Sequence, residues 1–357
     1  MAKIKVGIIG AGGIAQYGHI EKFQQLPNSS LQAIADANVE RAKEVAKRYN
    51  IPRFYADYRD MLKKEELNAV SICTPNFLHK QQAIDSFNSG CHVLCEKPVG
   101  LNAEEVEEML KTAKQKNKIL MAAMCWRYGA ETQTLKKFIE EGKLGRIYYA
   151  RVAYLRRAGT PEPGSWFTIK SKSGGGALID LGVHMIDLAV WFMGFPEPVS
   201  AYGSTYQEVV KQGDRIGGWP PPATRINPEK ITKKVFEVEE FASGLVKFAN
   251  GATLSVEVSW AANLNPGHYL TFLGDKGGAD LVPELKIYSQ DGDIAIDTIP
   301  QGLPNVDRYL EEIREFLECV ERGKQPGPSG EKILVVQKIL DAIYRSAETS
   351  KEARITF

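Results

Sequence analysis

What this sequence has little of narrows its function before any motif is read. Net charge is nearly absent: 45 Lys and Arg stand against 44 Asp and Glu, a formal charge of +1. No global field therefore draws the protein to nucleic acid or to an anionic membrane surface. Cysteine is sparse and odd in number, five in 357 residues, which excludes a disulfide-stapled scaffold and fits a reducing compartment, the cytoplasm. Cys91 and Cys95 lack metal-finger spacing. Read as extended chain, Cys91-His92-Val93-Leu94-Cys95 puts both thiols on one strand face with Val93, so buried thiols are expected and no metal site. The apolar stretch after the N-terminus is interrupted at Gly10, too short for a signal segment or a membrane span. Internal repeats are absent too. A small-molecule partner is what remains.

What is present is the balance of a folded globular protein: 43% apolar and 25% charged residues, over a length that fills two domains of ordinary size. Residues 1–124 alternate short apolar runs with helical ones, the pattern of stacked βαβ units and a parallel sheet. Strands are expected at 5–9, 31–35, 69–73, 92–95 and 119–122. Helices are expected at 39–49 and 103–116, the latter with Asn102 as N-cap and Glu105 at the third helical position. Residues 125–357 have a different texture. A helix to about 141 gives way to runs rich in Tyr, Val and Ile at 146–157, 235–248 and 252–261. Asn250-Gly251 joins the last two, a dipeptide suited to the positive φ angles of a tight hairpin. Helical periodicity returns over 307–320 and 331–347. The expected fold class is an α/β Rossmann domain at 1–124, then an α+β domain at 125–357 with a large, mainly antiparallel open sheet. Residues 217–222 fall in a long irregular connection, either a lid or a disordered excursion.

The strongest chemical signal follows the first strand. In Gly7-Ile8-Ile9-Gly10-Ala11-Gly12-Gly13-Ile14-Ala15, residues Gly10, Gly12 and Ala15 occupy the three positions of a dinucleotide fingerprint. Gly10 permits the turn, Gly12 lets the backbone approach a pyrophosphate, and Ala15 lets helix and strand pack, with the helix N-terminus facing the negative charge. Gly13 and Ile14 belong to the same set of contacts. Asp36 ends the second strand, where a carboxylate accepts hydrogen bonds from both adenosine ribose hydroxyls. That favours NAD over NADP, whose 2′-phosphate would meet a like charge that Arg41 only softens; an acidic helix cap is the other reading of Asp36. Cys73-Thr74-Pro75-Asn76 and Cys95-Glu96-Lys97-Pro98 end the next two strands on the same side and suit the nicotinamide ribose.

Together with Thr74-Pro75-Asn76, His79, Glu96-Lys97-Pro98 and the segment Gly175-Gly176-Ala177-Leu178-Ile179-Asp180-Leu181-Gly182-Val183-His184, the chain resembles the glucose–fructose oxidoreductase and inositol dehydrogenase family, Gfo/Idh/MocA, over nearly its whole length. The resemblance implies an NAD(P)-dependent oxidoreductase acting on a ring CH–OH group of a sugar or cyclitol. It also implies a cofactor contact at His79 and a catalytic group of Lys97, Asp180 and His184. Elementary chemistry agrees with the mapping. Asp180 and His184 are four apart on a helix that is apolar almost all round, so both polar groups are to be buried, at several kcal/mol each if unpartnered. His184 would act as general base, Lys97 would stabilise alkoxide charge, and Asp180 would orient the reacting groups. Substrate contacts are expected from Arg127 and Tyr128 beside Trp126, from Arg156 beside Arg157, and from Trp166, with Asp180 and His184. The resemblance leaves other activities open: an NAD-dependent glycosidase working by transient oxidation and elimination, a sugar oxidoreductase that retains its cofactor, and a nucleotide-binding redox sensor. A homodimer or homotetramer is expected through the free face of the second sheet.

Overall fold

A computed structural model describes residues 3–212 and 235–357; the expectation for 217–222 lies outside the described residues. The first sheet contains β1 (Ile4–Ile9), β2 (Ser29–Ala35), β3 (Arg53–Tyr55), β4 (Ala69–Ile72), β5 (His92–Cys95) and β6 (Leu120–Ala122). All pairings are parallel, in the order β3-β2-β1-β4-β5-β6. The order reverses at β1, so the loops after β1 and β4 part there and open a crevice at the carboxyl ends of the strands. β3 was not expected. Its three residues are partly or fully exposed, and an edge strand of this kind carries no apolar run to reveal it. Helix Val39–Arg48 is capped by Asn38 and helix Ala103–Gln115 by Asn102, each accepting from the backbone three residues on. Glu105 turns to the Leu101 amide at 2.9 Å, one residue before the cap.

The second sheet has nine strands: β7 (Ile147–Leu155), β8 (Pro198–Tyr206), β9 (Phe241–Phe248), β10 (Thr253–Ser259), β11 (Gly267–Gly274), β12 (Gly278–Asp280), β13 (Lys286–Asp291), β14 (Ile294–Thr298) and β15 (Ala353–Arg354). Every neighbour is antiparallel except β7 with β10. The β9–β10 connection differs from the expected tight turn. Phe248 pairs with Ala252 across three residues, and Gly251 alone takes a positive φ, 83°. This is a type I turn closed by a left-handed residue. Alternation along the strands puts Leu254, Val256, Val246 and Val152 against helices Val183–Phe192 and Gly330–Thr349, and leaves Tyr202, Leu245, Tyr269 and Leu273 on the outer face.

The stretch Lys170–Phe192 is long and apolar enough to cross a membrane, yet 94% of its most apolar window is buried inside the protein. It is the core helix of the second domain, apolar all round because protein surrounds it. One helix from beyond the expected domain division at 124/125 packs back across it. Helix Arg308–Arg322 leaves the second domain and packs Ile313, Phe316 and Leu317 into the same core as Ile20, Phe23 and Tyr128, under the first sheet. The chain then runs antiparallel to β6 through Pro328 and Ser329. An amphipathic helix goes wherever its apolar stripe finds an unfilled core, whatever its place in the sequence.

Candidate active site

A cleft of about 880 Å³ opens at the crevice and runs between the two domains. At one part of it lies the glycine turn. Gly10 has φ 97°, and a Cβ there would stand 2.7 Å from the Cys73 carbonyl, so β1 and β4 can part only with glycine at that point. At Gly12 a Cβ would meet nothing within 4 Å: the backbone faces open space, as an approaching pyrophosphate requires. Gly13 and Ile14 line the same space, while Ala15 is buried beneath it. Asp36, at the end of β2, accepts hydrogen bonds from the Ala11 and Asn38 amides at 2.8 Å each and is gripped by Arg41 at 3.1 and 2.8 Å. Asn38 is the helix cap; Asp36 faces the cleft with Arg41. An open glycine turn with a carboxylate at the adjacent strand end fits an adenine dinucleotide with free ribose hydroxyls.

Thr74, Pro75 and Asn76 line the cleft beyond β4. Thr74 donates to Gln82 at 2.6 Å, and Asn76 reaches the Ser173 carbonyl at 2.8 Å, tying this loop to the second domain. Glu96 and Lys97 enter from the end of β5. Burial pushes the Glu96 carboxyl up, but His19 at 2.9 Å and the neighbouring Lys97 outweigh it, and the group sits below the usual range. Ser71 holds the other nitrogen of His19 at 2.8 Å.

Lys97, Asp180 and His184 meet in this cleft. The Lys97 ammonium donates to Asp180 Oδ1 at 2.7 Å and to the Asp180 carbonyl at 3.1 Å, and Trp260 Nε1 donates to Asp180 Oδ2 at 2.9 Å. Burial works against both charges of the pair; their mutual attraction outweighs it, raising the lysine and lowering the aspartate. Asp180 lies in a π-helical turn, Leu178–Gly182, that runs into helix Val183–Phe192 carrying His184. Above that turn, Gly176 presses so close to Glu239 that a Cβ would overlap its carbonyl oxygen, and its amide donates to the Glu239 carboxylate. Next to it Gly175 lines the cleft, and a Cβ there would overlap the Tyr344 hydroxyl. His184 stacks on Trp126 at 5.8 Å, and its Nδ1 is buried without a partner, leaving Nε2 to reach the cleft. Burial, then the Lys97 charge, hold the imidazole well below the ordinary histidine pKa, so it is neutral at pH 7.

Several expected contacts are elsewhere. Arg127 forms a two-pronged pair with Asp187 at 2.7 and 2.5 Å, both side chains 2% exposed. Tyr128 donates to Glu315 at 2.7 Å. Neither lines the cleft, because Cys125–Tyr128 is a 3-10 turn that swings successive side chains by about a third of a circle, so that Cys125 and Trp126 face in and the next two face out. Nor does His79 reach it: its two nitrogens lie 2.8 Å from the Pro98 and Thr74 carbonyls, bracing the two loops from behind. Arg156 and Trp166 do line the cleft. Unforeseen there are Tyr17, Tyr154, Arg308, Tyr309 and Glu312. Arg308 to Glu312 come from the helix that returned to the first domain, and no local pattern announces that return. Glu312 is fully buried with neither oxygen hydrogen-bonded; burial and nearby Glu96 push its pKa well above the usual carboxyl range.

Comparison with known proteins places this geometry. The model of an oxidoreductase family with an NAD-binding Rossmann fold, GFO_IDH_MocA, matches residues 4–124, and that of the GFO/IDH/MocA C-terminal domain matches residues 132–280. D-glucoside 3-dehydrogenase of Escherichia coli K12 is 31% identical over 356 residues, 99% of this chain and 97% of that protein. Myo-inositol 2-dehydrogenase of Thermotoga maritima is 26% identical over 360 residues, 99% of this chain and 98% of that one. A solved structure of levoglucosan dehydrogenase with NADH and L-sorbose superimposes with a TM-score of 0.85 at 26% identity, covering 100% of both chains.

Proposed function

The chain belongs to the GFO/IDH/MocA oxidoreductase family, and on that premise we propose that it oxidises a ring hydroxyl of a sugar or cyclitol. The observation that carries this reading is the meeting of Lys97, Asp180 and His184 in the cleft that begins at the glycine turn. The cofactor, NAD, supplies the hydride acceptor when bound. His184, neutral and with one nitrogen toward the cleft, takes the hydroxyl proton. Lys97 donates to the reacting oxygen and offsets its developing negative charge. Asp180, fixed by Trp260, holds the ammonium in place. Incubation with NAD and a panel of inositols, aldoses and glycosides tests the proposal. Stoichiometric NADH with an oxidised ring supports it, whereas release of an aglycone without NADH would make the chain a glycosidase that recycles its cofactor.

Two expectations follow from individual residues. The depressed His184 pKa keeps its base form populated as pH falls, so the acid limb of kcat/KM for oxidation lies below 6.5, the ordinary histidine value. A limb at or above that value removes His184 as the base. At the adenosine end, Asp36→Ser removes the ribose acceptor and frees Arg41 for a 2′-phosphate. The NADP-to-NAD ratio of kcat/KM then rises by about tenfold or more, the scale of one charge-assisted hydrogen bond. An unchanged ratio counts against Asp36 at the ribose.

The outer face of the second sheet, with Tyr202, Leu245, Tyr269 and Leu273 exposed, is proposed to join copies of the chain as a dimer or tetramer. A monomer in light scattering at micromolar concentration refutes this. All five cysteines are buried free thiols, which supports a cytoplasmic setting; recovery from an oxidising compartment on cell fractionation would contradict it.

A further inference from the structure

Besides Lys97, the cleft is lined by Arg41, Arg59, Arg156, Lys172 and Arg308, of which Arg308 and Arg156 pack on the aromatic cluster around His184. Arg308 lies over the Trp126 ring at 5.2 Å and the Tyr309 ring at 5.4 Å. Arg156 lies over Tyr154 at 4.8 Å and donates to its hydroxyl at 2.9 Å. Among the described residues neither guanidinium forms an ion pair with Asp or Glu. The nearby acids are otherwise engaged. Asp180 is held by Lys97 and Trp260, Glu96 by His19, and Glu312, whose pKa burial pushes well above the usual carboxyl range, makes no hydrogen bond to Arg308.

The aromatic rings bring both arginines to the reactive histidine. Trp126 touches His184 at 5.8 Å, Tyr154 at 5.7 Å and His268 at 6.1 Å, and Tyr154 packs on His268 at 3.9 Å. Aromatic faces attract a guanidinium but do not neutralise it. Withdrawing such a group from water without a counter-ion is unfavourable, and its planar fork matches a carboxylate or a phosphate. The phosphates of the cofactor already have a place, at the open glycine turn and helix N-terminus.

We propose that the ring substrate carries an anionic group, a carboxylate or a phosphate, received by Arg308 and Arg156 while the hydroxyl to be oxidised faces His184. This rests on the dehydrogenase reading and narrows its substrate class. The two sources of charge are told apart by matched compounds on one ring: methyl glucoside, methyl glucuronide and glucose 6-phosphate, with myo-inositol and an inositol phosphate as a second set. The favoured anionic compound has a kcat/KM about ten- to a hundredfold above its neutral parent, the scale of one or two charge-assisted hydrogen bonds, and added salt narrows the gap. Arg308→Met and Arg156→Met each reduce that preference about tenfold. Arg308→Lys recovers part of it, since the charge survives and the fork does not. Retained NADH binding, read by its fluorescence, shows that the variants are folded. The same compounds are titrated into the enzyme–NADH complex by calorimetry, without turnover. Selective binding of an anionic compound with no oxidation of any supports the charge site while the dehydrogenase reading fails. Neutral parents that equal or exceed the anionic compounds in both rate and binding overturn the proposal, and so does the absence of binding by all of them.

Discussion

Lys97→Ala lowers kcat/KM by about a hundred- to a thousandfold, the loss seen when a donor to a developing oxyanion is removed. The ammonium is held at 2.7 Å from one Asp180 oxygen and 3.1 Å from its carbonyl, at the end of β5. It loses two donors' worth of freedom on folding and so has little left to lose when the alkoxide forms beside it. Its removal also leaves a buried carboxylate with Trp260 as its remaining side-chain donor. Asp180 then shifts upward toward protonation, because burial is no longer opposed by the lysine charge. Initial rates with saturating NAD, beside an NADH fluorescence titration, check the prediction. Intact NADH binding with the large rate loss is expected; a variant within tenfold of wild type removes Lys97 from the chemistry. His184→Ala loses about a hundredfold or more through the base step and, unlike Lys97→Ala, abolishes the acid limb assigned to that imidazole.

Arg127→Met destabilises the protein by about 3–5 kcal/mol, the usual consequence of stranding one partner of a buried ion pair. Asp187 would be left charged, 2% exposed, beneath Trp191 and Phe195, whose rings now cover the guanidinium at 5.3 and 5.5 Å. A fall in the thermal midpoint on the order of 5–10 °C is expected. Pairing it with Asp187→Leu recovers most of the loss, since the uncompensated charge goes with it. Below the midpoint, kcat/KM stays near wild type, because Arg127 does not line the cleft. A stable Arg127→Met enzyme with a raised KM would reverse this assignment and return the residue to the substrate.

The division between what was legible and what was not follows the range of the interactions. Gly10, Gly12 and Asp36 could be read because a strand, a turn and a helix N-terminus within one local stretch leave few residue types possible. The Asp180–His184 pair was legible for a related reason, since polar groups on a segment otherwise apolar have to be explained, whereas Lys97 was marked only by the resemblance of its Glu-Lys-Pro motif. Arg127 and Tyr128 were misplaced because adjacency in sequence to a cleft residue says nothing about direction, and a 3-10 turn sends neighbours to different cores. His79 has the chemistry of a contact residue but finds two carbonyls behind the loops first.

By itself, the sequence determined the class of both domains and the glycine turn that ends β1, both of which depend on periodicity or on contacts within a few residues; the grouping of Lys97, Asp180 and His184 came from the family resemblance. Only the tertiary structure decided that helix Arg308–Arg322 folds back under the first sheet. With that came the approach of Arg308, Tyr309 and Glu312 to residues nearly two hundred or more positions earlier. Such contacts are chosen by which apolar stripe fills which remaining core, a property of the assembled surfaces that no local pattern encodes.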